Sequence, residues 1–123
     1  MVRPLAILCL LGAALAAGCG GEIEVPEDET TAHRGAVLFN EHCSGCHSLD
    51  AANAYGSKPE GEIQGGERTN GPNFNVRNEN RDDVLFAIRN GGFSGQIMPA
   101  NIVVGEDAEA VADFLSEYSG QGG

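Results

Sequence analysis

The run Cys43-Ser44-Gly45-Cys46-His47 decides how this chain is read. Two thiols two residues apart, followed directly by an imidazole, suit three chemistries: a structural metal site, a redox disulfide, or covalent haem attachment. A closed zinc site takes four ligands, usually as two pairs. Away from the run, the Cys and His side chains are Cys9, Cys19, His33 and His42, and they form no second CxxC or HxxxH. A redox CxxC of the thioredoxin kind opens a helix after a strand, whereas here a helical pattern precedes the motif. The CxxCH spacing is that of c-type haem attachment. Its two thiols add to the vinyl groups on one side of a porphyrin, and the next residue turns its imidazole toward the iron. Cys43 and Cys46 are then the attachment points and His47 the proximal ligand.

The compartment agrees. Residues 1–18 carry one positive charge, Arg3, then an apolar stretch from Leu5 to Ala17 that ends in small residues. This is the layout of a secretory signal. The stretch is shorter than the roughly 20 residues that span a bilayer. Haem attachment of this kind takes place outside the cytoplasm, where such a leader sends a chain. Ala16-Ala17-Gly18-Cys19 resembles the lipobox of bacterial lipoproteins, which makes Cys19 the lipidated first residue of the mature protein. Ala14-Leu15-Ala16 also fits an ordinary signal peptidase. An unpaired Cys at the start of an exported chain favours lipidation. Cys9 reads as one more small apolar residue of the leader. Residues 19–31 are acidic, contain Pro26 and have little apolar content. They read as a flexible tether ahead of a domain over 32–120.

The formal net charge is −11, and loss of Arg3 with the leader takes it to −12. Nucleic acid requires basic patches, so it is not an expected partner. An acidic protein suits docking on positively charged protein surfaces, with salt-sensitive association.

Three stretches have helical character. In TTAHRGAVLFNEHC, residues 30–43, a Thr cap precedes Gly35, Leu38, Phe39, His42 and Cys43 at helical spacing. Gly35 costs about 1 kcal/mol inside a helix unless another element packs closely on it. In NRDDVLFAIRNGG, residues 80–92, Asn80 can cap, Asp82 and Asp83 suit the helix dipole, and Gly91 or Gly92 can end the helix. Val84, Leu85 and Ile88 form its apolar side. In GEDAEAVADFLSEYSG, residues 105–120, Val111, Phe114, Leu115 and Tyr118 fall on one face. No alternation is long enough for a substantial sheet. Long polar, Gly-rich loops, Ser48 to Asn80 and Gly91 to Gly105, separate the helices. A chain without Trp, with few large apolar residues and long loops, needs something besides a side-chain core to order it. A large flat cofactor meets that need.

The chain has two methionines, and Met1 belongs to the leader, which leaves Met98 as the sole thioether of the mature protein. It sits in GGFSGQIMPA, residues 91–100. The glycines permit close backbone approach to a flat ring, and Pro99 pushes Met98 toward an extended conformation. A Met in such a loop, away from any apolar face, is the distal ligand candidate. His33 and His42 read as surface or packing residues.

With these features in order, residues 32–118 resemble the class I monohaem cytochromes c. Gly35 and Phe39 match the Gly and aromatic of the family's first helix, CSGCH the attachment, and Gly71-Pro72-Asn73-Phe74 its GPNL-like turn. Met98-Pro99-Ala100 is followed by a last helix with Val111, Phe114 and Leu115 on its packing face. The resemblance implies an all-α fold, three main helices with long loops wrapped around one covalently attached haem c. It also implies that the Pro72 carbonyl accepts a hydrogen bond from the His47 nitrogen that does not bind iron, which orients the ring and raises its basicity. Phe74 departs from the usual Leu and suits packing at the haem edge. The stretch 48–70 is longer than the family's connection, and either covers the haem edge or docks a partner.

Bound by His and Met, the iron has no vacant position, and Met ligation raises its potential. The expected activity is electron carriage in an extracytoplasmic respiratory or photosynthetic chain, through weak contacts with redox proteins, without turnover of a substrate. The alternatives are a relay subunit of a dehydrogenase or oxidase, or a haem sensor or peroxidase with a displaceable Met98. The Met98 loop offers no acid–base residue for peroxidase chemistry.

Overall fold

The computed structural model describes residues 21–57, 71–93 and 97–122. The leader with Cys19, the stretch 58–70 and Gly95 lie outside the described residues. Three helices carry the fold: α1 (Thr30–His42), α2 (Arg81–Asn90) and α3 (Gly105–Tyr118). Between α1 and α2 run β1 (Ser48–Leu49), a 3₁₀ turn (Asp50–Ala52) and β2 (Ala54–Tyr55). The two strands pair antiparallel, Ser48 opposite Tyr55 and Leu49 opposite Ala54. Among the described residues no helix is long and apolar enough to cross a membrane.

The helices follow their sequence patterns. α1 buries Ala32, Gly35, Ala36 and Phe39, which is the i, i+3, i+4, i+7 face. α3 buries Val111, Phe114 and Leu115 together with Ala108, Ala110 and Ala112. The two helices cross at Gly35. The rings of Phe39 and Phe114 meet edge to face there, 5.9 Å apart. Tyr118 stacks on Phe114 at 5.4 Å. Arg34 of α1 pairs with Asp107 of α3, and Arg81 of α2 bridges to Asp113 and Glu109 of α3. α2 starts and stops as expected. The Asn80 side chain accepts the Asp83 amide at 2.9 Å, and Gly91 closes the helix at φ 78°.

Two expectations change. α1 begins after Glu29, whose side chain makes no capping bond, so Thr30 and Thr31 lie inside the helix instead of capping it. The segment expected to be a flexible tether is docked from residue 21 onward. Val25 is 2% exposed and belongs to the core. The Glu24 amide donates to the Ala51 carbonyl at 3.0 Å, and the Val25 carbonyl accepts from His33 Nδ1 at 2.8 Å. Buried Val25, Ile23 packed against the core and a few well-placed hydrogen bonds hold a segment whose composition alone reads as disordered.

Candidate functional site

The CSGCH run is a tight turn built on the end of α1. The Cys43 and Ser44 amides donate to the Phe39 carbonyl at 2.8 and 3.1 Å, and the Cys46 and His47 amides donate to the Cys43 carbonyl at 3.1 and 2.9 Å. Cys43 is half-buried and packs on the core, while Cys46 is exposed. Burial, and secondly the neighbouring Cys46, push the Cys43 thiol up to about 12.

His47 is held from three sides by the loop 71–74. The Gly71 amide donates to the Cys46 carbonyl at 2.9 Å, and the Phe74 amide donates to the Ser48 carbonyl at 2.8 Å. Between these two bonds, His47 Nδ1 lies 3.1 Å from the Pro72 carbonyl oxygen. A carbonyl only accepts, so Nδ1 carries the proton and the neutral ring keeps its lone pair on Nε2. Burial lowers the His47 pKa; the Pro72 hydrogen bond opposes this, and the charge of Arg77 adds to it. The Phe74 ring stacks on the imidazole at 4.8 Å and 14°. Gly71 is required for this approach, because a Cβ there would lie 2.5 Å from His47 Cε1.

Met98 comes from the loop after α2, half-buried against the same core that Cys43 touches. Gly91 and Gly92 carry the chain past it at φ 78° and 86°. A Cβ on Gly91 would lie 2.8 Å from the Met98 carbonyl oxygen, so helix end and loop touch backbone to backbone. The Asn101 amide donates to the Ile88 carbonyl at 2.7 Å and ties the far side of the loop to α2.

The structure thus joins His47 to Pro72 directly and sets Cys43 and Met98 on one core. His33 is bonded to Val25 and His42 is exposed beside Glu41, so neither joins the site. Among the described residues no cluster of three or more His, Cys, Asp or Glu side chains could hold a metal ion. The donor set suits a haem: two thiols on one turn, an imidazole with Nε2 available, and a thioether in a glycine-flanked loop.

Sequence reading missed one surface feature. Phe86 and Phe93 stack on each other at 5.1 Å while remaining 49% and 59% exposed, and Ile97 beside Met98 is 84% exposed. Phe86 falls outside the apolar face of α2, the one signal that could have marked it as a surface residue.

The Cytochrome c family model matches residues 32–119. The crystal structure of the c-type cytochrome SorU from Sinorhizobium meliloti is similar, with a TM-score of 0.58 and 30% sequence identity. The match covers 76% of this chain and 97% of that one. No curated protein sequence matches. With a mostly helical fold and a CxxCH turn inside the matched span, the chain belongs to the cytochrome c family, as a class I monohaem member that carries haem c covalently and transfers electrons.

Proposed function

We propose that Cys43 and Cys46 form the two thioethers to haem c, that His47 Nε2 is the proximal ligand and Met98 sulfur the distal one. The observation that carries this reading is the clamp on His47. Pro72 fixes the tautomer, and Gly71 and Phe74 fix the ring plane, so one nitrogen is presented to a metal without a conformational search. Bound there, the haem supplies a one-electron ferric–ferrous couple. The chain's own part is to hold the two axial donors, to exclude water from the imidazole with Phe39 and Phe74, and to keep the imidazole neutral and hydrogen-bonded.

The protein works as an electron carrier in an extracytoplasmic respiratory or photosynthetic chain. It meets a redox protein whose contact surface combines basic residues with an apolar centre. The exposed Phe86, Phe93 and Ile97 supply the apolar half beside the Met98 loop. Charge supports the rest: Arg34, Arg77 and Arg81 are each paired with the chain's own carboxylates, while the chain as a whole carries −11. Acylation of Cys19 anchors the mature chain, with residues 1–18 removed and the segment from residue 21 packed on the domain over 32–120. Acyl chains contribute about 0.8 kcal/mol per buried CH₂, and more than one makes a stable anchor.

Exported, matured protein should contain one haem per chain by alkaline pyridine spectroscopy. It should titrate as a single one-electron couple and leave carbon monoxide unbound when reduced. Ready binding of carbon monoxide would place the chain with sensors or peroxidases instead.

A further inference from the structure

The docked segment ahead of α1 changes what a lipid at Cys19 would do. The Gly21 carbonyl accepts a hydrogen bond from Asn53 Nδ2 at 2.9 Å. A Cβ on Gly21 would fall 2.1 Å from Asn53 Oδ1, so backbone and side chain are in close contact. Asn53 is itself a left-handed residue, φ 50°. It is held from α1, where Asn40 Nδ2 donates to the carbonyls of Ala52 and Asn53 at 2.9 and 3.0 Å. Further along the segment, Glu24 is bonded to Ala51, Val25 is buried, and Glu29 accepts from the Tyr118 hydroxyl at 2.5 Å. These contacts run from residue 21 to the start of α1.

Cys19 precedes Gly21 by two residues. Two residues span at most about 7 Å. A free linker over residues 20–31 would instead let the domain wander by about 20 Å. We propose that the face made by the 3₁₀ turn, Asn53 and the strap Gly21–Val25 lies against the phospholipid headgroups, so that the strap sets the orientation of the domain. This rests on the acylation of Cys19 proposed above. The occupant of the face follows from the length of chain beyond Gly21 and from where that chain ends. Charge does not hold the contact: Glu22 and Glu24 are exposed on the strap and Glu27 just beyond it, and all three would be repelled by anionic lipid. The acyl group alone holds it, and added salt should not release the protein.

The test uses mature holoprotein on a supported phosphatidylcholine bilayer. Neutron reflectometry reads the gap between headgroups and protein, and hydrogen exchange reads the Glu24 amide. The protein layer should begin within about 7 Å of the headgroups, with Glu24 protected. Val25→Asp should open the gap to about 20 Å and speed Glu24 exchange about tenfold or more. Asn53→Gly, which keeps the left-handed backbone and removes the bond to Gly21, should loosen the strap without touching the core. A gap of about 20 Å in the unaltered protein would overturn the membrane-facing surface even with Glu24 protected. Rapid Glu24 exchange in the unaltered protein would overturn the docking. An intact mass without acyl chains, with Glu24 still protected, would remove the lipid reading and this surface with it, leaving the strap in place.

Discussion

Gly35 of α1 approaches α3 so closely that a Cβ built on it would lie 2.2 Å from the carbonyl oxygen of Ala110 and 2.5 Å from Phe114 Cβ. The first of these neighbours is backbone, which cannot rotate away. Substitution by Ala gains about 1 kcal/mol of helix propensity, while overpacking at a rigid contact costs about 1–3 kcal/mol. Gly35→Ala should therefore lower stability by up to about 2 kcal/mol, read from the denaturant midpoint of the holoprotein. A raised midpoint would mean that the helices separate freely and that the crossing does not depend on Gly35.

The same logic applies at Gly71, whose missing Cβ makes room for His47. A methyl group 2.5 Å from Cε1 must push the ring off Phe74 or off the Pro72 carbonyl. Gly71→Ala should lose the slowly exchanging Nδ1 proton signal of His47 in nuclear magnetic resonance. It should also shift the reduction potential, because a ligand without its outer hydrogen bond is a weaker base. A retained proton signal with an unchanged potential would show that the loop 71–74 moves as a body and that the clamp is soft.

What the sequence makes legible divides along local and non-local lines. Asn80 and Gly91 were readable because caps act on their own helix. Gly35 was readable as a contact, though not which atoms it meets. The bond from His47 to Pro72 spans 25 positions and came from family resemblance, since spacing alone cannot place it. The docking of Val25 was illegible because a lone apolar residue among carboxylates has no period; the bond of its carbonyl to His33, and that of the neighbouring Glu24 amide to Ala51, are set by the tertiary fold. The stacking of Phe74 on the imidazole is more specific than the edge packing expected of it. The Phe86–Phe93 pair joins a helix to a loop, and nothing local to either residue announces the other.

Met98 gives a test that separates ligand from core filler. Its side chain is only half-buried, at the margin of the core, so truncation should cost less than the about 2–5 kcal/mol of a fully buried Met. As a distal ligand its loss should have a larger electronic effect. Met98→Ala should lower the potential by on the order of 0.1 V or more, within the roughly 0.8 V that axial ligands span. It should also open the iron to added imidazole. A variant with the original potential and no imidazole binding would return Met98 to a packing role.

At the strap, Tyr118 supplies a pH dependence whose sign can be worked out. The hydrogen bond to the Glu29 carboxylate, then burial, raises the Tyr118 pKa from the ordinary 10.0 to about 12. The protonated phenol is the form that donates to Glu29, so folding favours the proton. The contribution is then fully present below pH 10 and is lost as the pH rises through about 12. Tyr118→Phe keeps the ring on Phe114 and removes only the hydroxyl, so the comparison cancels every other alkaline titration. The unaltered protein should hold a constant advantage in unfolding midpoint over Tyr118→Phe up to about pH 10, and that advantage should shrink toward zero near pH 12. If the difference were flat across this window, the hydroxyl would not be donating to Glu29 in solution, and the strap would depend on Ile23, Val25 and the Ala51 and His33 bonds.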